Sequence, residues 1–174
     1  EKLGKAEALR AVDRCMKRME RTVEGFNGRI VKIVGDELMA SFPHADEALQ
    51  AAVEMQLRIA DLPPVSGVKL EIRVGFAHGE VSEEDGALVG EAVNMAATLA
   101  GTAKPGQILT SQASLATLSP PLLKLTRELA TPPTGGKLPA TALSEVFVHE
   151  LHESSAAHAP VPSSEDEAGG NKLR

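Results

Sequence analysis

Arg29-Ile30-Val31-Lys32-Ile33-Val34-Gly35-Asp36-Glu37-Leu38-Met39-Ala40-Ser41-Phe42 holds two short apolar runs on either side of a Gly-Asp pair. Such a pattern reads as a β-hairpin, because a tight turn needs a residue free of a Cβ and the flanking runs can pair. A carboxylate at the tip, Asp36, projects beyond the sheet edge. A metal ion that bridges phosphate oxygens takes a ligand of that kind. Taken alone, Gly35-Asp36 is equally a turn pair. Lys32 lies between Val31 and Ile33 and so occupies the opposite strand face from both. If those two face the core, Lys32 faces the open side of the sheet or a partner.

Outward from the hairpin, the flanking segments read as helices. Leu9, Val12, Met16, Met19 and Val23 recur at spacings of three and four, one face of a helix, with Arg10, Lys17, Glu20 and Arg21 turned outward. Gly25 and Asn27-Gly28 end it. After Pro43, the residues Ala48, Ala52, Met55 and Ile59 form a second stripe, with Asp46 as N-cap or first-turn acid, and Pro63-Pro64 closes it. Val68, Leu70, Ile72, Val74 and Phe76 alternate as in a strand. A polar turn is expected over Ser82–Gly86. An Ala-rich helix over Glu91–Ala103 follows, with Val93, Ala96, Ala97 and Ala100 on one face. Gln107–Thr110 reads as a short strand, Ser111–Leu118 as a short helix, and Leu122–Leu129 and Glu145–Leu151 as late strands. The expected fold is α+β, a helix-covered sheet with a central antiparallel hairpin.

Composition narrows the function. The 174 residues are 43% apolar and 24% charged, ordinary for a soluble globular domain. No apolar run approaches the ~20 residues that a membrane helix needs, and Glu1–Arg10 lacks the character of a secretory signal. The single cysteine, Cys15, has no partner within the chain, so a reducing, cytoplasmic setting is expected. It sits mid-helix and reads as buried. Net charge is −6, with neither Trp nor Tyr. Both features argue against a nucleic-acid surface, which wants a basic face and stacking platforms. His149, His152 and His158 are scattered and do not suggest a metal cluster. Residues 153–174 are rich in Ser, Ala, Pro, Glu and Gly and read as a disordered tail after a domain over residues 1–152.

Two more segments carry candidate chemistry. Val89-Gly90-Glu91-Ala92-Val93-Asn94 opens the Ala-rich helix with a glycine, which allows close packing or close approach of a phosphate. Asn94 lies on its first turns, able to bond a ribose or base, or equally to serve as a surface amide. Lys104-Pro105-Gly106-Gln107 is a helix-to-strand turn without obvious chemistry.

In this order, the segments resemble the class III adenylate/guanylate cyclases. The resemblance rests on Gly28–Asp36 with Met39–Phe42, Asp46-Glu47-Ala48, Ile72–Gly79, Gly90–Leu99 and Lys104–Ser111. It runs from about Leu3 to Ser111, and more weakly to Leu151. It implies a ferredoxin-like or palm-type sheet around the hairpin. It also implies a homodimer whose interface converts ATP to cyclic AMP and pyrophosphate, with two Mg²⁺ or Mn²⁺ ions per site. Asp36 resembles the family's second metal aspartate. Lys32 resembles its adenine-recognising lysine, contributed by the other subunit, and favours ATP over GTP. Asn94 resembles the asparagine that positions the ribose or ring.

The departures are specific. The strand with the first metal aspartate is expected before Leu3. Thr98 stands where the transition-state arginine is expected, four residues after Asn94. Ala87 stands where the partner of the adenine lysine is expected, seven residues before it. Lys137 is a candidate for the phosphate-binding lysine. His78 matches a position that is often His and reads as structural. Three readings follow: an adenylate cyclase; a non-catalytic cyclase-homology module that binds nucleotide or regulates a dimer partner; and a diguanylate cyclase. The third rests on the likeness of Gly35-Asp36-Glu37 to that family's Gly-Gly-Asp-Glu-Phe turn, with Val34 and Leu38 replacing its first Gly and its Phe.

Overall fold

The computed structural model describes residues 4–129 and the backbone of 143–146. Leu3, Lys137, the three late histidines and the expected tail over residues 153–174 lie outside the described residues. So does the part of the last expected strand beyond Val146.

The element order is α1 (Lys5–Gly25), β1 (Arg29–Val34), β2 (Glu37–Ser41), α2 (Ala45–Ala60), β3 (Val74–Phe76), β4 (Ser82–Glu84), β5 (Ala87–Val89), α3 (Glu91–Thr102), β6 (Ile108–Ser111), α4 (Gln112–Leu115), α5 (Pro120–Leu123), β7 (Thr126–Glu128) and β8 (Leu143–Val146). The strands form a four-stranded sheet in the order β3-β6-β8-β7 and two separate hairpins, β1-β2 and β4-β5. Strand β3 runs parallel to β6, while β8 is antiparallel to both β6 and β7. The fold is α+β, as expected.

Strand β6 shows how the core is layered. Ile108 and Leu109 are consecutive, so they point to opposite faces, and both are fully buried. Ile108 packs with Leu49, Ala52 and Val53 of α2 and with Phe76 of β3. Leu109 packs with Leu99 and Ala103 at the end of α3. Helices α2 and α3 thus cover the two faces of the sheet. Each fully buried leucine contributes roughly 1.5–3 kcal/mol relative to exposure. Gly75 lets α3 come this close: a Cβ there would lie 2.3 Å from the amide nitrogen of Ala100 and 2.7 Å from the carbonyl of Ala96.

The α1 stripe is rotated from the expected one. Ala11, Cys15, Met16, Thr22 and Val23 are buried, whereas Leu9 is 64% exposed. Met16, Met19 and Val23 lie on the packed face as expected, whereas nearer the start of the helix the small residues Ala11 and Cys15 are buried in place of Leu9 and Val12. Cys15 packs with Ile59 and Leu62, and burial raises its thiol pKa. Helix α2 is capped by the His44 position, and Asp46 is a first-turn acid. Its carboxylate accepts the backbone N–H of Ser119 at 2.9 Å.

Three further differences have local causes. The alternation of Leu70, Ile72 and Val74 is real in burial, but only Val74–Phe76 joins a ladder. The Ile72 carbonyl instead accepts from Gly106 N–H at 2.8 Å and from the Gln56 amide at 3.1 Å. Ser119-Pro120 starts a short helix that takes in Leu122 and Leu123, the first two residues of the expected late strand, since proline suits a first helical turn. The expected polar turn over Ser82–Gly86 is a hairpin, β4-β5. Asp85 and Gly86 both take positive φ there, as its two-residue connection requires.

Candidate active site

The β1-β2 hairpin forms as read. Val34 pairs with Glu37, so Gly35 and Asp36 are the two turn residues. Of these only Gly35 has positive φ, at 61°, as in a type II′ turn. Asp36 is exposed at the tip. Among the described residues, no ion pair or hydrogen bond engages its carboxylate.

A β-bulge decides which way Lys32 faces. Ile30 pairs with Ala40, but Lys32 pairs with Met39, leaving Val31 as the extra residue. Directly paired residues share a face. Ile30, Ala40, Leu38 and Phe42 therefore face α1 and α2, packing with Val23, Ala51 and Met55. Ile33 shares that face by its pairing with Leu38, but overhangs the helices and is 43% exposed. Arg29, Lys32, Met39 and Ser41 lie on the opposite, open face. Lys32 is exposed and opposite Ile33, as expected; the bulge at Val31 is what places it there, since an unbroken strand would put it on the face of Ile30.

The β4-β5 hairpin borders that open face. Arg29 Nη1 lies 3.8 Å from Glu83 Oε2. Between the two hairpins runs a groove of about 300 Å³, lined by Arg29, Ser41 and Phe42 on one side and by Val81 and Leu88 on the other. It sits at the base of β1-β2, whereas Asp36 is at the tip; Lys32, Asp36 and Asn94 do not line it. Glu83 pairs with Leu88 and faces β1, so Glu84, paired with Ala87, faces away on the exposed side with Ser82 and Val89.

Gly90 precedes α3 with φ 155°, and a Cβ there would lie 2.7 Å from the Glu80 carbonyl. Close packing accounts for this glycine. Asn94 is exposed one turn into α3, and no hydrogen bond of its side chain is formed among the described residues. Thr98 lies one turn further and donates its hydroxyl to the Asn94 carbonyl at 2.9 Å. Ala87 is exposed in β5 and offers no polar group. His78 is held by its backbone, its N–H donating to Ser114 Oγ at 2.9 Å.

The structure brings none of Lys32, Asp36 and Asn94 into direct contact with another of the three. Each is exposed on a different element, on β1, the β1-β2 turn and α3. Among the described residues, no group of three or more His, Cys, Asp or Glu is arranged to hold a metal ion. Of Lys32, Asp36 and Asn94, Asp36 supplies a carboxylate, a hard oxygen donor. That suits Mg²⁺, which keeps waters and takes one or two carboxylates plus substrate phosphates. No helix among the described residues is long and apolar enough to cross a membrane. Sequence reasoning overlooked Arg29 and Glu83, although the Asp85-Gly86 pair was a readable hairpin signal.

Residues 2–140 match the family described as adenylate and guanylate cyclase catalytic domain. An uncharacterized protein of Mycobacterium tuberculosis is 37% identical over 87 residues, 50% of this chain and 22% of that protein. A Rhizobium meliloti protein with the provisional name adenylate cyclase 3 is 34% identical over 97 residues, 53% of this chain and 16% of that protein. The chain thus spans about a fifth of the length of these relatives. In fold it is similar to the crystal structure of an adenylate/guanylate cyclase/hydrolase from Silicibacter pomeroyi. That likeness has a TM-score of 0.68 and 24% identity, covering 83% of this chain and 86% of the other.

Proposed function

The chain belongs to the adenylate and guanylate cyclase catalytic domain family, and from that premise we propose that it converts ATP to cyclic AMP and pyrophosphate at the interface of a homodimer. The observation that carries this reading is Asp36. It is an exposed carboxylate on a defined turn, with no competing ion pair among the described residues.

In the reaction, the ribose 3′-oxygen attacks the α-phosphorus. A new O3′–P bond forms as the bond to the pyrophosphate oxygen breaks in line, and the hydroxyl proton passes to solvent. Bound Mg²⁺ or Mn²⁺ supplies charge neutralisation on the phosphates and eases loss of that proton. Asp36 of one subunit would hold the metal. Lys32 of the other subunit donates from its ammonium to an acceptor nitrogen of adenine. The bulge at Val31 aims it away from the helices and toward the open face. Asn94 orients the ribose or base through its carboxamide. The purine edge then lies along the open side of β1.

The test is direct. The full-length protein with Mn²⁺ and ATP or GTP is assayed for cyclic nucleotide. Cyclic AMP formation that requires Asp36 supports the reading, and no cyclic product above background sinks it.

One observation favours a second reading, a non-catalytic module that binds nucleotide or regulates a dimer partner. The Thr98 hydroxyl is spent on the helix backbone, so position 98 offers the phosphates neither charge nor a free donor. In that case nucleotide binds but is not turned over.

A further inference from the structure

The groove between the two hairpins is lined by none of Lys32, Asp36 and Asn94. Its volume of about 300 Å³ lies at the lower end of small-molecule sites. Phe42, Val81 and Leu88 give it an apolar wall, while Asn27, Arg29 and Ser41 give it polar groups. Packing fixes the Phe42 ring: a Cβ at Gly28 would lie 2.5 Å from it. Arg29 is directly opposite Ser41 in the β1-β2 ladder. Guanidinium and hydroxyl therefore share one face, with their Cβ atoms about 4.5–5.5 Å apart. Neither the Ser41 hydroxyl nor the Asn27 carboxamide is hydrogen-bonded among the described residues. Arg29 meets Glu83 only at 3.8 Å, with the two side chains 61% and 57% exposed. A pair so exposed is weak, which leaves the guanidinium open to another anion.

We propose that this groove binds a small organic carboxylate with a compact apolar body, at a site distinct from that of the nucleotide. The planar carboxylate accepts two parallel N–H···O bonds from the fork of Arg29, and the Ser41 hydroxyl donates to the same group. The apolar body lies against Phe42, Val81 and Leu88. Charge complementarity selects the head group. Arg29 is the only cation among the lining residues, so an anion is drawn in and a cation repelled. Glu83 beside it disfavours the higher charge of a phosphate, leaving a singly charged carboxylate as the match. The ligand bridges β1-β2 and β4-β5, two hairpins that share no ladder. It does so on the face of β1 that also carries Lys32. Occupancy thus ties the second hairpin to the strand that presents Lys32. The site needs neither a metal nor Asp36, so it does not rest on the ATP reading.

Calorimetric titration of the full-length protein with 3-phenylpropionate, without metal or nucleotide, tests this. Saturable binding at one site per chain is expected, with Kd below about 1 mM. Uncharged 3-phenylpropanamide, and acetate, which lacks the apolar body, should each bind at least about 10-fold more weakly, because head and body both contribute. R29Q should weaken 3-phenylpropionate by about 10-fold, the worth of hydrogen bonds to a charged group. R29K keeps the charge without the fork and should fall between. E83Q removes the competing carboxylate and should tighten binding by about 2–5-fold. A merely structural Arg29–Glu83 contact would not give these opposite signs. Excess 3′-deoxy-ATP with Mn²⁺ should leave 3-phenylpropionate bound. No saturable binding to wild type overturns the proposal, as does equal affinity in wild type and an R29Q protein of unchanged melting temperature. Displacement by 3′-deoxy-ATP also overturns it and assigns the groove to the nucleotide site. Cyclic AMP formation is assayed separately, so each of these failures leaves the ATP reading standing.

Discussion

Thr98 donates its hydroxyl to the backbone carbonyl of Asn94, 2.9 Å away. Back-bonding of this kind satisfies a threonine inside its own helix, so the side chain at position 98 offers no charge and no free donor. If the rest of the site is intact, Thr98→Arg should raise cyclase activity by at least about 10-fold, well within what an arginine supplies in phosphoryl transfer. The rise should appear in kcat with little change in KM. An unchanged kcat in an otherwise active protein would exclude a transition-state role at this position.

Asp36 is exposed and outside the packed core. Asp36→Asn should therefore leave the melting temperature within about 1–2 °C of wild type, as expected of surface changes. It should remove Mn²⁺-dependent nucleotide affinity and turnover. Calorimetry with and without Mn²⁺ reads this; retained metal dependence would count against Asp36 as a ligand.

Gln56 is nearly buried, and its amide donates to the carbonyls of Ile72 at 3.1 Å and Gln107 at 3.2 Å. It clamps the entry of β3 to that of β6. Gln56→Glu replaces the donor by a carboxylate facing two carbonyl oxygens, and should cost about 2–4 kcal/mol. The urea midpoint should fall, and fall less at acid pH, where the introduced carboxyl is protonated and donates again. Equal loss at both pH values would refute the clamp.

Gly75→Ala should destabilise by about 1–3 kcal/mol, because its methyl meets α3 backbone rather than a movable side chain. Gly101→Ala, inside α3 with nothing within 4 Å of a Cβ, should instead stabilise by about 0.5–1 kcal/mol. Chemical denaturation of both variants compares the two signs in one protein.

Cys15 has its thiol pKa raised by burial. The folded state therefore holds this proton more tightly than the unfolded chain does. Its contribution to stability is complete below the ordinary thiol range and is lost as pH rises through the raised folded value. Modification by a thiol reagent at pH 8 should be slow in the native protein and rapid in denaturant. Fast native labelling would contradict the burial.

Much of the fold could be read in the sequence because its signals are local. Gly35-Asp36 between apolar runs, the prolines after α2 and the stripe of α2 depend on turn sterics and helical period alone. Leu9 misled, because a large apolar residue does not tell which side of a helix has a neighbour. Ser82–Gly86 was too polar to suggest strands, yet Asp85-Gly86 supplies the turn and the paired backbones need no apolar face.

For the site, the sequence alone determined the chemical inventory: a carboxylate on a turn at Asp36, a lysine four residues before it, an amide at Asn94, and neutral residues at positions 87 and 98. Tertiary structure decided the directions. The bulge at Val31 turns Lys32 to the open face, and the β4-β5 register turns Glu83 toward Arg29. A hydrogen bond to the helix backbone engages the Thr98 hydroxyl. A one-residue shift in pairing reverses every side chain beyond it. Chemical identity is thus written in the residues, while the face that each residue presents is settled only when the strands pair.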